Sequence, residues 1–330
     1  MKPPYPQPLM SLALAAFTVS LVCVPPIAHA QNYPTRPVRL IVPFPPGGGA
    51  DLSARGIAQR LSMMWKQPVV VHNIAGAAGN LAAATAAASQ PDGYTLFFAT
   101  VPIIVSNPAI YDKLSFDPDR DFAPVIFIGE GPHVLLVSSA FKATKLSELI
   151  ALAKERPGQL NFGSGGIGTS LHLVGEYLKT RAGIELVHVP YKGTAPAIAA
   201  MHGNEIQMLF DNGLSAIGHI RSGRTRGLAI AAENRSPVLS EVPTFEESGI
   251  RNFRSGVGHS IYVRAGTTSA IVQIVNRAIN TVLEETEYKQ QMTAVAYNLA
   301  GGTPEQLKLH IESERKKWLP IIRAQKIKAQ

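Results

Sequence analysis

Two glycine-rich stretches carry most of the chemical promise of this sequence. The first, Pro45-Pro46-Gly47-Gly48-Gly49-Ala50-Asp51, follows a short apolar run and opens a segment with helical spacing. The first N–H groups of a helix have no internal partner, and the helix dipole stands behind them, so together they attract an anion. Glycine lets a ligand approach such a backbone closely. The same stretch also reads as a plain strand-to-helix turn with Asp51 as the cap. The second stretch, Gly163-Ser164-Gly165-Gly166-Ile167-Gly168-Thr169-Ser170, again lies between strand and helix, and Ser164, Thr169 and Ser170 add hydroxyl groups. If both loops faced one cleft, a carboxylate held between them would suit it.

Other chemistries fit less well. Gly163, Gly165 and Gly168 match G-x-G-x-x-G, but a dinucleotide fold needs an acidic residue at the end of the next strand. Glu185 instead precedes the apolar run 186–189, which ends at Val189-Pro190. No Walker lysine follows either loop, and Ser164 lacks the G-x-S-x-G elbow. A hydrolase would use Ser164 with His172, yet no acid is placed to orient the histidine. His172 and Glu176 stand four apart on a helix with no third ligand, so they read as a surface contact or a ligand-facing His172 rather than a metal pair. His188 and His202 have no recognisable catalytic partner. Asp211-Asn212 follows a strand and precedes a helix, as a cap or a polar hook for a ligand. No catalytic residue, metal or cofactor is expected.

The elements that must position these loops follow one grammar: strand, glycine turn, helix. Strands are expected at 38–42, 69–71, 94–99, 160–162, 186–189, 206–210 and 226–231. Helices are expected at 51–65, 81–88, 146–155, 169–181, 194–201, 213–221, 269–285 and 304–326. Uninterrupted apolar strands alternating with helices imply an α/β protein whose parallel sheets are covered on both faces. Leu307, Ile311, Trp318 and Ile322 make the last helix amphipathic, suited to packing back on the first lobe.

At 330 residues the chain is long enough for two cores. Lys2, the apolar run 9–24 and the small-x-small pattern Ala28-His29-Ala30 read as an export signal cut after Ala30. The only cysteine, Cys23, leaves with it, which removes disulfides, thiol nucleophiles and thiolate metal sites. The formal net charge is +8, but its lysines and arginines are scattered without interleaved aromatics, so nucleic acid is not an expected partner.

The sequence resembles the Bug family of extracytoplasmic solute receptors, the binding components of tripartite tricarboxylate transporters. The likeness runs from Tyr33 to about Trp318. It includes Tyr33-Pro34-Thr35-Arg36-Pro37, Pro46 to Asp51, Pro91-Asp92-Gly93-Tyr94-Thr95 and Leu160 to Ser164 with His172. It continues through Val187 to Gly193, Phe210-Asp211-Asn212 and Val242-Pro243-Thr244. The resemblance implies a type II periplasmic binding protein: two α/β lobes, crossing hinge strands and a ligand cleft. Lobe 1 is expected at 31–130 and 236–330, lobe 2 at 131–235.

It further implies a monomer that captures a small organic carboxylate in the periplasm and delivers it to a membrane permease. Loops 46–51 and 163–170 would clamp the carboxylate. Thr100, the segment Lys192-Gly193-Thr194 and Asp211-Asn212 would shape the rest of the pocket. One region departs from the family pattern: Gly258 to Thr268 lacks the usual Trp and two prolines, which puts the pocket wall in question and makes His259 a candidate substitute contact. A sensor that presents its ligand to a signalling partner is the alternative reading.

Overall fold

The computed structural model describes residues 1–2, 33–47 and 49–329. The export signal with its cut after Ala30, and Gly48, lie outside the described residues.

The first lobe opens with β1 (Val38–Val42), α1 (Gly49–Trp65), β2 (Val69–Asn73), α2 (Asn80–Ala87) and β3 (Thr95–Thr100). Three short helical turns follow: α3 (Val101–Val105), α4 (Asn107–Ile110) and α5 (Pro118–Asp121). Strand β4 (Phe122–Ser138) then runs into the second lobe. That lobe holds α6 (Leu146–Glu155), β5 (Asn161–Ser164), α7 (Ser170–Ala182), β6 (Val187–Pro190), α8 (Thr194–His202), β7 (Met208–Asn212), α9 (Gly213–Arg221) and β8 (Thr225–Ile230). Strand β9 (Gly256–Arg264) returns to lobe 1 and leads to α10 (Ser269–Glu284), α11 (Thr286–Thr293), β10 (Asn298–Leu299) and α12 (Pro304–Ala324).

Strands pair in the order β2-β1-β3-β9-β4-β7-β5-β6, with β8 and β10 also on β4. Each lobe has a parallel set, β2-β1-β3 and β7-β5-β6. The antiparallel strands β9 and β4 join them. The parallel strands are apolar without interruption because helices cover both faces. In lobe 1, Leu40, Phe98 and Ile261 pack against α1 and α10, while Ile41, Phe97 and Tyr262 pack against α2 and α12. In lobe 2, Phe162 and Phe210 face α6 and α7, while Leu209 and Ile206 face α8 and α9.

Two crossing strands were hidden in the sequence. Strand β4 contains Pro124, Gly129, Gly131 and Pro132, all of which read as breakers. Register shifts between Pro124 and Ile126 and between Phe127 and Gly129 absorb the first two. Gly129 has φ +146° and lies so close to the Asn298 carbonyl that no side chain fits. Pro132 pairs with Gly256 where the chain passes between the lobes.

The lobe boundary also differs from expectation. Residues 236–255 are expected in lobe 1, but Phe245, Ile250 and Phe253 pack with Leu135, Phe162 and Phe210 in lobe 2. Phe245 and Phe253 stack at 4.1 Å, and Ser255 N–H donates to the Ala231 carbonyl at 3.1 Å. The segment has no strand or helix period, so only its aromatics could have signalled the packing. The return crossing is at Ser255–Gly256.

Helix α12 begins with a capping box, the Thr303 side chain exchanging bonds with Gln306, and Pro304 at its first position. Leu307, Ile311, Trp318 and Ile322 are buried against lobe 1. Trp318 also meets Tyr177 of α7 edge-on at 6.1 Å, and Gln325 Nε2 donates to Thr180 Oγ1 at 3.0 Å. The helix therefore ties lobe 1 to the back of lobe 2. Among the described residues no helix is long and apolar enough to cross a membrane. Replacing Trp318 with alanine should cost about 3–5 kcal/mol in urea unfolding, as for other large-to-small core changes. Leu309→Ala on the same helix, where the leucine is 64% exposed, should stay within about 0.5 kcal/mol.

Candidate functional site

The carboxyl ends of β1 and β3 in lobe 1 face those of β5, β6 and β7 in lobe 2, and a cavity of about 470 Å³ lies between them. In open α/β sheets this is the edge where strand-to-helix loops leave room for a ligand. From lobe 1 come Pro46, Gly47, Gly49, Ala50 and Thr100. From lobe 2 come Gly165, Thr169, Ser170, Lys192, Gly193, Thr194 and Asn212. The lobes touch here. A side chain on Gly49 would meet Asn212 Oδ1 at 2.7 Å, so a larger residue here would have to displace the Asn212 amide for the two loops to close on each other. A larger hollow of about 810 Å³ lies on the flank of lobe 2. Of the helix starts only that of α6 borders it, so the inter-lobe cavity is the better candidate.

Four helices of two turns or more begin at this cavity: α1, α7, α8 and α9. At α7 the Thr169 side chain caps the His172 N–H. Among the described residues nothing caps the N–H groups of Ser170 and Leu171. At α8 no side chain caps the first turn. At α9 the Asn212 side chain accepts only the Ser215 N–H, at 3.2 Å. Phe44, Pro45, Pro102, Leu171, Pro196 and Val257 make an apolar part of the wall. The arrangement offers positive dipole ends for a carboxylate and a greasy surface for a short carbon chain.

Five residues singled out from the sequence do not line the cavity: Asp51, Ser164, Gly168, His172 and Asp211. They shape the loops that do. Helix α1 starts at Gly49, so Asp51 lies inside its first turn rather than at the cap. Its Oδ2 accepts the Gly47 N–H and Arg55 Nε, both at 2.9 Å, and its Oδ1 accepts Asn73 Nδ2 at 2.8 Å. Burial pushes this carboxyl up, but the Arg55, Gly47 and Asn73 bonds outweigh it and hold the pKa below the usual range.

Ser164 Oγ lies 2.6 Å from His188 Nε2 and accepts the Gly166 N–H at 3.1 Å. His172 Nδ1 instead accepts the Gly168 N–H at 3.2 Å. The Ser164–His172 pairing that hydrolysis would need is therefore absent, and Ser164 is buried away from the cavity. Asp211 Oδ1 accepts the Asn212 N–H at 2.8 Å and the Ser215 hydroxyl at 2.7 Å. Burial raises its pKa to about 6, partly offset by those two bonds.

Several lining residues escaped the sequence reading. Ala78 belongs to a turn with Ala77 and Ala78 both at positive φ, 46° and 51°. Such a conformation is costly for alanine. Asn107 Nδ2 pins the turn by donating to the Ala78 carbonyl at 3.2 Å and to Asn80 Oδ1 at 2.6 Å. The Gly76–Gly79 signal after a strand could have found it. Ala195 and Pro196 follow directly from Thr194 on α8, and Ser215 and His219 from Asn212 on α9. Val257 gave no signal. In the departing segment, Gly258 faces Phe127 and Val101 rather than the cavity, while His259 lines it.

Comparison with known proteins identifies the family. The family model described as "Tripartite tricarboxylate transporter family receptor" matches residues 53–327. The chain belongs to this receptor family. It is 33% identical to Protein BugT of Bordetella pertussis over 94% of this chain and 96% of that one. Among solved structures it is similar to Rpa4515 of R. palustris with adipate, at 33% identity and TM-score 0.85, covering 88% of this chain and 97% of that one. It is also similar to MatC of Rhodopseudomonas palustris with bound malate, at 29% identity and TM-score 0.82, covering 88% and 100%. The family and these neighbours are binding receptors, not enzymes.

In this receptor the second loop rests on neutral histidines. His172 and His188 stack at 3.8 Å. Burial pushes both pKa values down, and for His172 the neighbouring His188 adds to it. Groups whose folded pKa lies below the unfolded value near 6.5 contribute fully above that pH and lose their contribution as pH falls. Urea unfolding between about pH 7 and pH 4 should therefore show stability falling with acidification, and His188→Asn should flatten that slope. Asp51→Ala should lower stability by about 1–3 kcal/mol by leaving its partners unpaired, measurable in the same assay.

Proposed function

We propose that this protein captures a small organic carboxylate in the inter-lobe cavity and delivers it to a membrane permease of the tripartite tricarboxylate type. The observation that carries this reading is the convergence of the starts of α1, α7, α8 and α9 on one cavity. Unpaired first-turn amides act as fixed donors there, and each adds its helix dipole. Lys192 at the same cavity supplies a mobile positive charge. The apolar wall suits the carbon chain between polar ends, and 470 Å³ falls in the usual range for small-ligand sites.

Adipate and malate in two relatives make aliphatic carboxylates the ligand class to test first. The family assignment and the leader-like N-terminus support action in the periplasm. The crossing strands β4 and β9 form the hinge about which the lobes would open and close.

The test is thermal unfolding against a panel of aliphatic mono-, di- and tricarboxylates. A ligand at 100 times its Kd should stabilise the protein by about 2.7 kcal/mol. Ser170→Pro removes one amide donor at a first helical position, where proline is accepted, and Thr169 before it is already extended. This variant should fold normally but bind about tenfold more weakly. Ser170→Ala, which keeps the amide, should bind as wild type. Absence of stabilisation by any acid, or unchanged binding by Ser170→Pro, would reject the reading.

A further inference from the structure

His259 is 1% exposed and forms part of the cavity wall, directly across the β3–β9 pair from Thr100. Its Nδ1 lies 2.9 Å from the Tyr297 hydroxyl, and that hydroxyl donates to the Gly129 carbonyl at 2.7 Å. A carbonyl can only accept, so the phenol proton is committed to it. The contact with His259 is then an Nδ1–H donating to the phenol oxygen. Burial keeps the Tyr297 phenol protonated, its pKa well above the ordinary value, and pushes His259 down to about 3.

This chain of bonds leaves a neutral imidazole with its proton on Nδ1 and a bare lone pair on Nε2. Among the described residues Nε2 has no hydrogen-bond partner. A buried acceptor without a donor is costly, and a ligand that supplies the donor recovers that cost. Lys192 is the only lysine or arginine among the described lining residues, and it is exposed. At His259 a carboxylate would set lone pairs against a lone pair, whereas a hydroxyl would donate.

We propose that His259 reads a hydroxyl group on the ligand, so that the site takes a hydroxycarboxylate in preference to the same acid without the hydroxyl. The contact is a hydrogen bond from the ligand hydroxyl to Nε2, the one ring atom left without a partner among the described residues. The inference rests on the carboxylate reading above and narrows it. It assigns to a residue of the departing segment the choice among acids that the helix starts would otherwise hold alike.

The experiment is calorimetric titration of matched pairs, L-malate against succinate and 3-hydroxybutyrate against butyrate, on wild type and His259→Phe. Phenylalanine keeps a ring between Phe98 and Tyr297 but has no lone pair. Wild type should favour the hydroxylated member of at least one pair by about tenfold. His259→Phe should bring the ratio close to one while still binding the deoxy acid. Binding without hydroxyl preference, or a preference that survives in His259→Phe, overturns this inference and leaves the carboxylate reading intact. Failure of every acid to bind overturns both. Nitrogen-15 shifts of the histidine rings in the ligand-free wild type supply an arm independent of the variant. A proton on Nδ1 of His259 is expected, and a proton on Nε2 overturns the inference.

Discussion

An amide at the start of an α-helix has no carbonyl one turn behind it, and in this receptor several such amides, at the starts of α7, α8 and α9, are left uncapped beside one cavity. Capping residues normally remove this deficit. Here the caps are partial: Thr169 serves only His172, and Asn212 serves only Ser215. The uncapped amides of α7, α8 and α9 lie across the cleft from the start of α1, where a negative ligand would complete what the chain leaves open.

Holding amides in that state requires stiff loops, and the polar residues around the cavity provide the stiffness. Asp51 draws the Gly47 amide and two side chains onto one carboxylate. Ser164 and His172 each take a backbone N–H of the second loop, and Asp211 fixes the turn into α9. These groups are buried, and each is hydrogen-bonded within the chain through at least one atom. Their work is geometric, and it explains why the Ser, His and Asp near a glycine loop here do not amount to catalytic machinery.

Much of the fold was legible in the sequence. Short apolar runs followed by glycine turns and helical spacing located β1 to β3, β5 to β8 and the helices between them, because buried parallel strands leave a plain apolar signature. The crossing strands were not legible. In β4 Pro124 and Gly129, which look like breakers, are absorbed by bulges, and a bulge is visible only once the partner strand is known. The continued packing of 236–255 on lobe 2 was hidden for a similar reason, since Phe245 and Phe253 act through contacts with distant parts of the chain.

By itself the sequence determined the two glycine loops, their position between strand and helix, and the family to which they belong, because each depends on neighbours a few residues away. Tertiary structure decided which of those residues reach the cavity and which stand behind it. It also brought in Ala78, Ser215, His219 and Val257, and committed the proton of His259 through Tyr297 and Gly129. Those outcomes depend on where strands far apart in the chain come to lie side by side, and local spacing does not encode that.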